Sequence, residues 1–490
     1  MKKLFCIASV LVSGCGDNLS GPDAGLPGDE QPMVDASPDS STPFTPPTPF
    51  AFNLSATGPD QITTAYAGPN GTFYAAGFAA TTPTGDKLLT VTRRLATGAP
   101  DTTFAGTGIL TTTVKVVTGQ SEIDIVTQSD GKLIVSTTTP AAVANVMDAA
   151  DTDIALVGIL ANGTLDPNFG VAGIRVVSLN ESYLEPGATP TVRGRDGIRG
   201  LAIGANNQIF VHAYQRGEGM ISGGVTPRVD TEFVIARFTA DGQLDLGYGG
   251  GDGKFVYDIF VTNLHTNATP HAILPLTDGT VVAGGYANTP ALGSVQPVLF
   301  KVNAAGTALD STWGTQGLFH DVVLGGQTEV YNFARHGDNL VTGGYGRAVA
   351  TPAINDYISL RFNVNTGVRD LTWGGTTNGA VVFDPSGAML GNNCRNAIAL
   401  PGGKTALIGS AGPGNMATQD AVFAILDATG KLDTTFGTGI VKYMLGGNGN
   451  DQFWGGAVSG NNLLVVGYQG GNASPTTMND DSYGLVLTLP

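Results

Sequence analysis

The sequence predicts an all-β protein, a seven-bladed β-propeller of four-stranded antiparallel blades preceded by a disordered tether. Three observations carry that expectation. An Asp followed at the third place by an aromatic, usually with Gly next, occurs six times: Asp101/Phe104, Asp166/Phe169, Asp245/Tyr248, Asp310/Trp313, Asp370/Trp373 and Asp433/Phe436. Glycine supplies 71 of 490 residues and only 13% of residues are charged, which reads as short strands joined by tight turns. No long stretch shows the 3.6-residue apolar period of an amphipathic helix.

The chain opens with an export signal. Met1-Lys2-Lys3 precedes the apolar run Leu4 to Val12, followed by Ser13, Gly14 and Cys15. A basic start, a short apolar core and small residues before a cleavage point make a secretory signal over residues 1–14. The run is too short to span a bilayer, which needs ~20 apolar residues. Val12-Ser13-Gly14-Cys15 resembles the bacterial lipobox, which implies that Cys15 becomes the lipidated first residue of the mature protein. An ordinary signal peptide containing Cys is the alternative. Several acyl chains on one residue would give stable anchoring, at ~0.8 kcal/mol per buried CH₂. Residues 15–48 are rich in Pro, Asp, Ser and Gly, with no Lys or Arg before Lys87. Such a segment buries too little apolar surface to fold, and its prolines and like charges extend it. It reads as a tether between a membrane and the domain at 49–490.

From there a four-part phrase recurs about every 60 residues. A first strand follows Gly, as in Ile109–Val114 and Ile440–Leu445. A second segment leads into a turn. A third strand often ends in Gly, as in Gly131–Ser136 and Asn462–Gly467. A fourth alternates apolar residues, as in Glu232–Arg237 and Asp420–Leu426, and the Asp-x-x-aromatic turn then starts the next unit. Phe50–Leu54 supplies the first strand of the first unit, and Asp481–Thr488 the fourth strand of the last. Six turns thus join seven units. Either whole units close edge to edge, or Phe50–Leu54 completes the last blade as a two-terminus clasp; the sequence allows both. The third unit is longer through Asn180–Gly187 and Gly217–Gly224, insertions that map to loops. Radial repetition protects strand edges, which favours a propeller; weak helix signals argue against βαβ units.

The phrase is similar to the bacterial delta-60 repeat family. The matching residues include Asp130-Gly131-Lys132, Phe233 to Phe238, Asp241-Gly242, and Leu432-Asp433-Thr434-Thr435-Phe436-Gly437. The resemblance covers about residues 50 to 489 and implies a propeller, with no established activity.

An Asp in each turn could ligate a metal, but its recurrence favours a structural part. Asp accepts hydrogen bonds from backbone N–H groups two residues on, the aromatic tucks between adjacent blades, and the Gly takes a backbone shape costly for other residues. Ala105 replaces that Gly, so its turn is expected to differ, and Arg369 replaces the apolar residue before Asp370. Gly446–Asp451 resembles one calcium-binding nonapeptide but lacks stacked copies. Gly403-Lys404-Thr405 imitates a phosphate loop whose earlier Gly is Ile398. Gly409–Gly412 lacks the spacing of a nucleophile elbow. His212, His265, His271, His320 and His336 have no zinc spacing; His212 and His320 fall on predicted strands, and His265 and His271 flank a loop. Cys394 stands alone in the folded part, without a disulfide framework or CxxC pair. No catalytic, cofactor or metal residue is expected, although a fold can assemble a glycosidase carboxylate pair without a sequence trace.

The net charge of −16 repels phosphate backbones and argues against a nucleic-acid partner. The expected function is a monomeric, lipid-anchored binding or scaffold module of the bacterial cell envelope, facing periplasm or exterior. It would take a glycan or protein ligand where loops converge, with the third-unit insertions as candidate loops. The alternative is a hydrolase or lyase acting on a carbohydrate at the channel mouth, marked by clustered titratable groups with shifted pKa values. A purely structural surface protein is the third reading.

Overall fold

The computed structural model describes residues 44–490 except 118–122, 144–145, 181–193, 218–227, 229, 260–266, 289–294, 350–351, 353, 389, 413–418, 446–449 and 471–480. The described residues form 28 strands and five three-residue 3₁₀ turns.

Strands associate four at a time in chain order. Asp60–Ala67, Phe73–Ala79, Leu88–Arg94 and Ile109–Lys115 lie side by side, each antiparallel to the next. The same order recurs in the sheets that begin at Asp124, Gly197 and Asn392. Groups beginning at Ala268 and Gln327 join into one eight-stranded sheet through a single parallel pair, Val295 with Gln327. The last group comprises Asn450–Ser459, Asn462–Gly470 and Asp481–Thr488, and takes its outermost strand, Phe50–Ala51, from the other end of the domain.

The termini therefore form a clasp, and each sheet starts one strand later than the unit that the sequence suggests. The Asp-x-x-aromatic turn joins the third and fourth strands of one sheet, not one sheet to the next. The clasped sheet needs no such turn, because its fourth strand arrives from the N-terminal side. The clasp is held by more than its two-residue ladder. Phe52 N–H donates to Ser482 O at 2.9 Å, and Ser482 N–H donates to the buried Asp60 at 2.9 Å. Buried Arg94 lays its guanidinium 4.6 Å from the Phe52 ring and donates to Phe52 O at 2.7 Å.

Each first strand packs against the first strands of the groups before and after it, and the last group's against the first group's. These strands line a common hub. The apolar cores lie between successive sheets: Phe169, Ile134 and Leu156 meet Val234 of the following sheet. Phe52, Ile62 and Phe73 meet Leu464 and Val466 where the last group adjoins the first. Second and third strands are covered on both faces, so they read as continuous apolar runs; all of Phe73–Ala79 is buried. The architecture is a β-propeller.

Because successive strands run in opposite directions, the two ends of each sheet differ. One end carries the tight first-to-second turns and the Asp turns. The other carries the second-to-third and sheet-to-sheet connections. Both third-unit insertions belong to this second end; residues 181–193 and 218–227 lie outside the described residues.

Candidate functional site

The turn end is uniform. In every Asp turn the carboxylate accepts from the N–H two residues on: Thr103, Asn168, Gly247, Thr312, Thr372 and Thr435 donate at 2.8–3.1 Å. Each Asp also meets a base. Asp101 pairs with Arg93, Asp245 with Arg237, Asp310 with Lys301 and Asp370 with Arg361, all bases of the preceding third strand. That strand position is Gly158 or Ile425 in two copies, and there Lys132 and Lys404 pair with Asp166 and Asp433 at 2.7 Å instead. Burial pushes the Asp370 carboxyl up, but bonds from Thr372 and Arg361 outweigh it and hold it down at about 2. The cation often covers the aromatic as well, as Arg361 covers Trp373 at 4.4 Å.

In four copies the aromatic abuts a glycine of the next sheet. A Cβ on Gly242 would lie 2.5 Å from Phe169, and Gly306, Gly367 and Gly430 face Tyr248, Trp313 and Trp373 in the same way. A Cβ on Gly98 would lie 2.6 Å from Phe50, so the clasp strand supplies the ring at the closing junction. Phe104 differs from these four in having no glycine seat, although it too lies between two sheets. The glycine that should face it, Gly163, instead meets the backbone of Ala105, 2.4 Å from a Cβ placed there, and Ala105 N–H donates to Asn162 O at 2.8 Å. Phe104 is fully buried among Tyr74, Leu89 and Val91 of its own sheet and Leu133 and Val135 of the next. Tyr74 meets it edge-on at 5.8 Å and the Arg93 guanidinium lies 5.4 Å from its ring. It is a core residue, closed to any ligand. Phe436 also differs, since it meets Phe44 edge-on at 5.7 Å.

Ala105 keeps the turn conformation, against the expectation that its turn would differ, with φ of 51° against 53–70° for the glycines at that place. A left-handed Ala costs roughly 1–2 kcal/mol. Ala105→Gly is expected to raise stability by about 1 kcal/mol in urea unfolding; no gain would mean that the Ala methyl contributes packing of equal size.

The hub end is varied. Six first strands have an apolar residue, then one of changing chemistry: Ile62-Thr63, Ile198-Arg199, Pro270-His271, Val330-Tyr331, Cys394-Arg395 and Phe453-Trp454. In all six the ladder register slips at or beside the second residue, which takes it out of regular pairing. In the remaining sheet the corresponding place is Ile123, just before the strand begins at Asp124. Neighbouring residues then meet across the hub. His271 and Tyr331 have ring centroids 4.2 Å apart. The Arg395 guanidinium lies 4.8 Å from the Tyr331 ring and 4.6 Å from the Trp454 ring.

Second strands add a further layer. Tyr286 lies 5.5 Å from His271, and Trp454 stacks on Tyr468 at 6.5 Å and 16°. The Tyr331 and Tyr345 hydroxyls are 3.0 Å apart. Asn332 Nδ2 donates to Asn396 Oδ1 at 2.7 Å, which ties two first strands together. Burial pushes Glu329 above the usual carboxyl range, opposed by Tyr345, Arg395 and Tyr331. Burial, with Arg199, His212 and Arg395 nearby, holds His271 well below the usual imidazole range, so it is neutral at pH 7. Its Nε2 is buried without a hydrogen-bond partner.

Asp124 sits one place further along its first strand, level with Thr64 and Asn396, and accepts from Ile125 N–H at 2.8 Å, Thr64 Oγ1 at 3.2 Å and Leu201 N–H at 3.2 Å. Burial outweighs these bonds and pushes its carboxyl up from 3.8 to about 6. The folded state thus favours the protonated form. This contribution is fully present below pH 3.8 and is lost as pH rises through about 6. Asp124→Asn is expected to remove a fall in stability of up to about 2 kcal/mol between pH 4 and pH 6. Unfolding midpoints across that range check it; an unchanged slope would contradict the assignment.

Sequence reasoning placed His271 beside a loop; it lies on the strand Ala268–Pro275, in the cluster. His212 is on Ile209–Arg216 and His320 on Leu318–His320. Cys394 is free and fully buried, which pushes its thiol up to about 12. Cys15 and His265 lie outside the described residues. Among the described residues no group of three or more His, Cys, Asp or Glu is placed to hold a metal ion.

No family model matches the chain, and no curated protein matches its sequence. Solved structures do resemble it. A protein of unknown function from Dyadobacter fermentans is 10% identical over 90% of this chain and 98% of its own, with a TM-score of 0.43. Polysaccharide lyase Uly1 is 10% identical over 89% and 91%, at a TM-score of 0.45. The β-propeller domain of the Trilobed protease from Pyrococcus furiosus, described as having an open velcro topology, is 9% identical over 90% and 97%, at 0.42. These likenesses concern the fold, and the chain is similar to β-propeller proteins of several activities.

Proposed function

We propose that the protein is a seven-bladed, lipid-anchored module of the bacterial envelope that binds a glycan over its hub, at the loop-bearing end. The blade count rests on dividing the eight-stranded sheet at its single parallel pair, Val295 with Gln327, and on the unbroken cycle of first-strand contacts. Kinship with the delta-60 repeats rests on the repeated phrase. Export, the Cys15 anchor, the tether and a monomeric state rest on the sequence alone; mass spectrometry finding an acylated Cys15 at the mature N-terminus would support the anchor, and an unmodified start elsewhere would refute it.

One observation carries the binding reading. A repeat that keeps its turn Asp, cation and aromatic constant changes chemistry at one hub position. The side chains at and beside it bring aromatic rings, amides and guanidinium groups together. Purified full-length protein should bind saccharides in a glycan screen and lose that binding in Trp454→Ala. Binding unchanged in this variant would move the site elsewhere.

The second reading is a carbohydrate hydrolase or lyase, favoured by neutral His271 beside Tyr331 and Arg395. Release of reducing ends from a bound polysaccharide, lost in His271→Ala, would select it.

A further inference from the structure

Arg395 is a cation in a setting poor in acceptors. It sits on the first strand Asn392–Ala399, at the register slip between Cys394 and Asn396. Its guanidinium has aromatic neighbours on three sides, Tyr331 at 4.8 Å, Tyr345 at 5.5 Å and Trp454 at 4.6 Å. Its Nε is buried without a hydrogen-bond partner. A carboxylate stands nearby, Glu329, but no ion pair joins the two, and Glu329 accepts from the side-chain amide of Gln327. The contrast within the molecule is informative: Arg93, Arg237 and Arg361 on the turn end each pair with an Asp. A desolvated guanidinium held by rings keeps a planar fork whose natural complement is a carboxylate, taken up through two parallel hydrogen bonds. Arg199 flanks the same cluster from the other side, close enough to His271 and Tyr286 to bias their titration. The protein as a whole is acidic, with a net charge of −16, which opposes an anion at long range, so affinity for one has to come from these local guanidinium groups.

We propose that Arg395 receives the carboxylate of an acidic saccharide, a uronate, whose sugar ring packs beside Trp454 and whose hydroxyls reach the Asn332–Asn396 amide pair. This inference deepens the glycan-binding reading and depends on it. A saccharide fits better than an acidic peptide because flat aromatic faces and paired side-chain amides suit the C–H faces and hydroxyls of a sugar ring.

Oligogalacturonate and its methyl ester form the test, since they share every ring and differ in the carboxylate charge. Calorimetry on the full-length protein should show the acid binding at least tenfold more tightly than the ester. Arg395→Met should abolish that difference, and Arg395→Lys should restore only part of it, because an ammonium lacks the fork. Trp454→Ala should weaken acid and ester alike. Thermal unfolding of each variant establishes that the fold is retained, and the acid-to-ester ratio in the unaltered protein needs no variant. Equal binding of acid and ester, both weakened by Trp454→Ala, would overturn the uronate assignment and leave the hub site standing. Binding of the acid that neither substitution affects would overturn both. Failure of the acid to bind, or equally tight binding of a poly-glutamate peptide displaced by the acid, would overturn the saccharide carboxylate.

Discussion

Trp313→Ala is expected to lower unfolding free energy by about 3–5 kcal/mol, the range for removing a buried large aromatic. Trp313 is fully buried and packs with Val282, Leu340, Leu360 and Phe362, so its ring is shared between two successive strand groups. Its Nε1–H donates to Val364 O at 2.9 Å, an acceptor that the truncation leaves unpaired. The glycine facing it, Gly367, has φ of 70° and lies so close that a Cβ would stand 2.5 Å from the indole, so the next sheet cannot close over the gap with a larger residue. Asp310→Ala in the same turn should cost less, about 1–3 kcal/mol, since it removes the bonds to Thr312 and the ion pair with Lys301. Guanidinium chloride unfolding of the two variants gives the ranking. A loss below 1 kcal/mol for Trp313→Ala would mean that the turn aromatic is not what holds neighbouring sheets together.

A domain that begins at Leu54, without Phe50 to Asn53, should lose at least as much. Phe52 is 2% exposed and closes the core between the last group and the first, so its removal alone is worth about 3–5 kcal/mol. Truncation also leaves Arg94 without the ring and carbonyl that it covers. Burial already pushes this guanidinium down to about 10, so stranding it adds a cost of its own. It further removes the ring of Phe50, which seats on Gly98 as four of the turn aromatics seat on their glycines. Phe52→Ala separates the packing part from the ladder part. Equal stability of the truncated and complete domains would show that the ring closes without the clasp.

Much of the fold is legible in the sequence because the repeat states the same physics many times. Asp433, Phe436 and Gly437 could suggest a site; recurrence at Asp101, Asp166, Asp245, Asp310 and Asp370 marks them as a turn. Three things stay hidden. The phase of the sheets depends on where the ring is cut. Phe50–Ala51 offers two paired residues, too short a stretch for periodicity to assign it to the last group or the first. The base partnering each Asp also escapes notice, because it comes from the third strand in four copies and from just before the second strand in two. Comparison of Arg93, Arg237, Lys301 and Arg361 with Gly158 and Ile425 would have exposed the exchange with Lys132 and Lys404. The seat of each aromatic is hidden too: Phe104 and Phe169 hold the same place in the phrase, yet only Phe169 faces a glycine of the next sheet.

The hub site was concealed for the opposite reason. A search for motifs looks for what recurs, and this position does the reverse. Thr63, Arg199, His271, Tyr331, Arg395 and Trp454 share no chemistry, and the register slip that frees them leaves no spacing signature. Only their equal distance from the following tight turn aligns them. His271 illustrates the difficulty: it lies where the ladder skips from Pro270 to Ile273, so no regular alternation marks it as a strand residue.

The proposed division of labour between a constant fastening end and a varied recognising end has one direct test. The dissociation constant of oligogalacturonate should be measured for Asp433→Ala and Arg395→Met, well below both unfolding midpoints. Asp433→Ala should bind as the unaltered protein does despite its lower midpoint, and Arg395→Met should bind at least tenfold more weakly. The reverse pattern, with binding lost in Asp433→Ala and kept in Arg395→Met, would contradict the account.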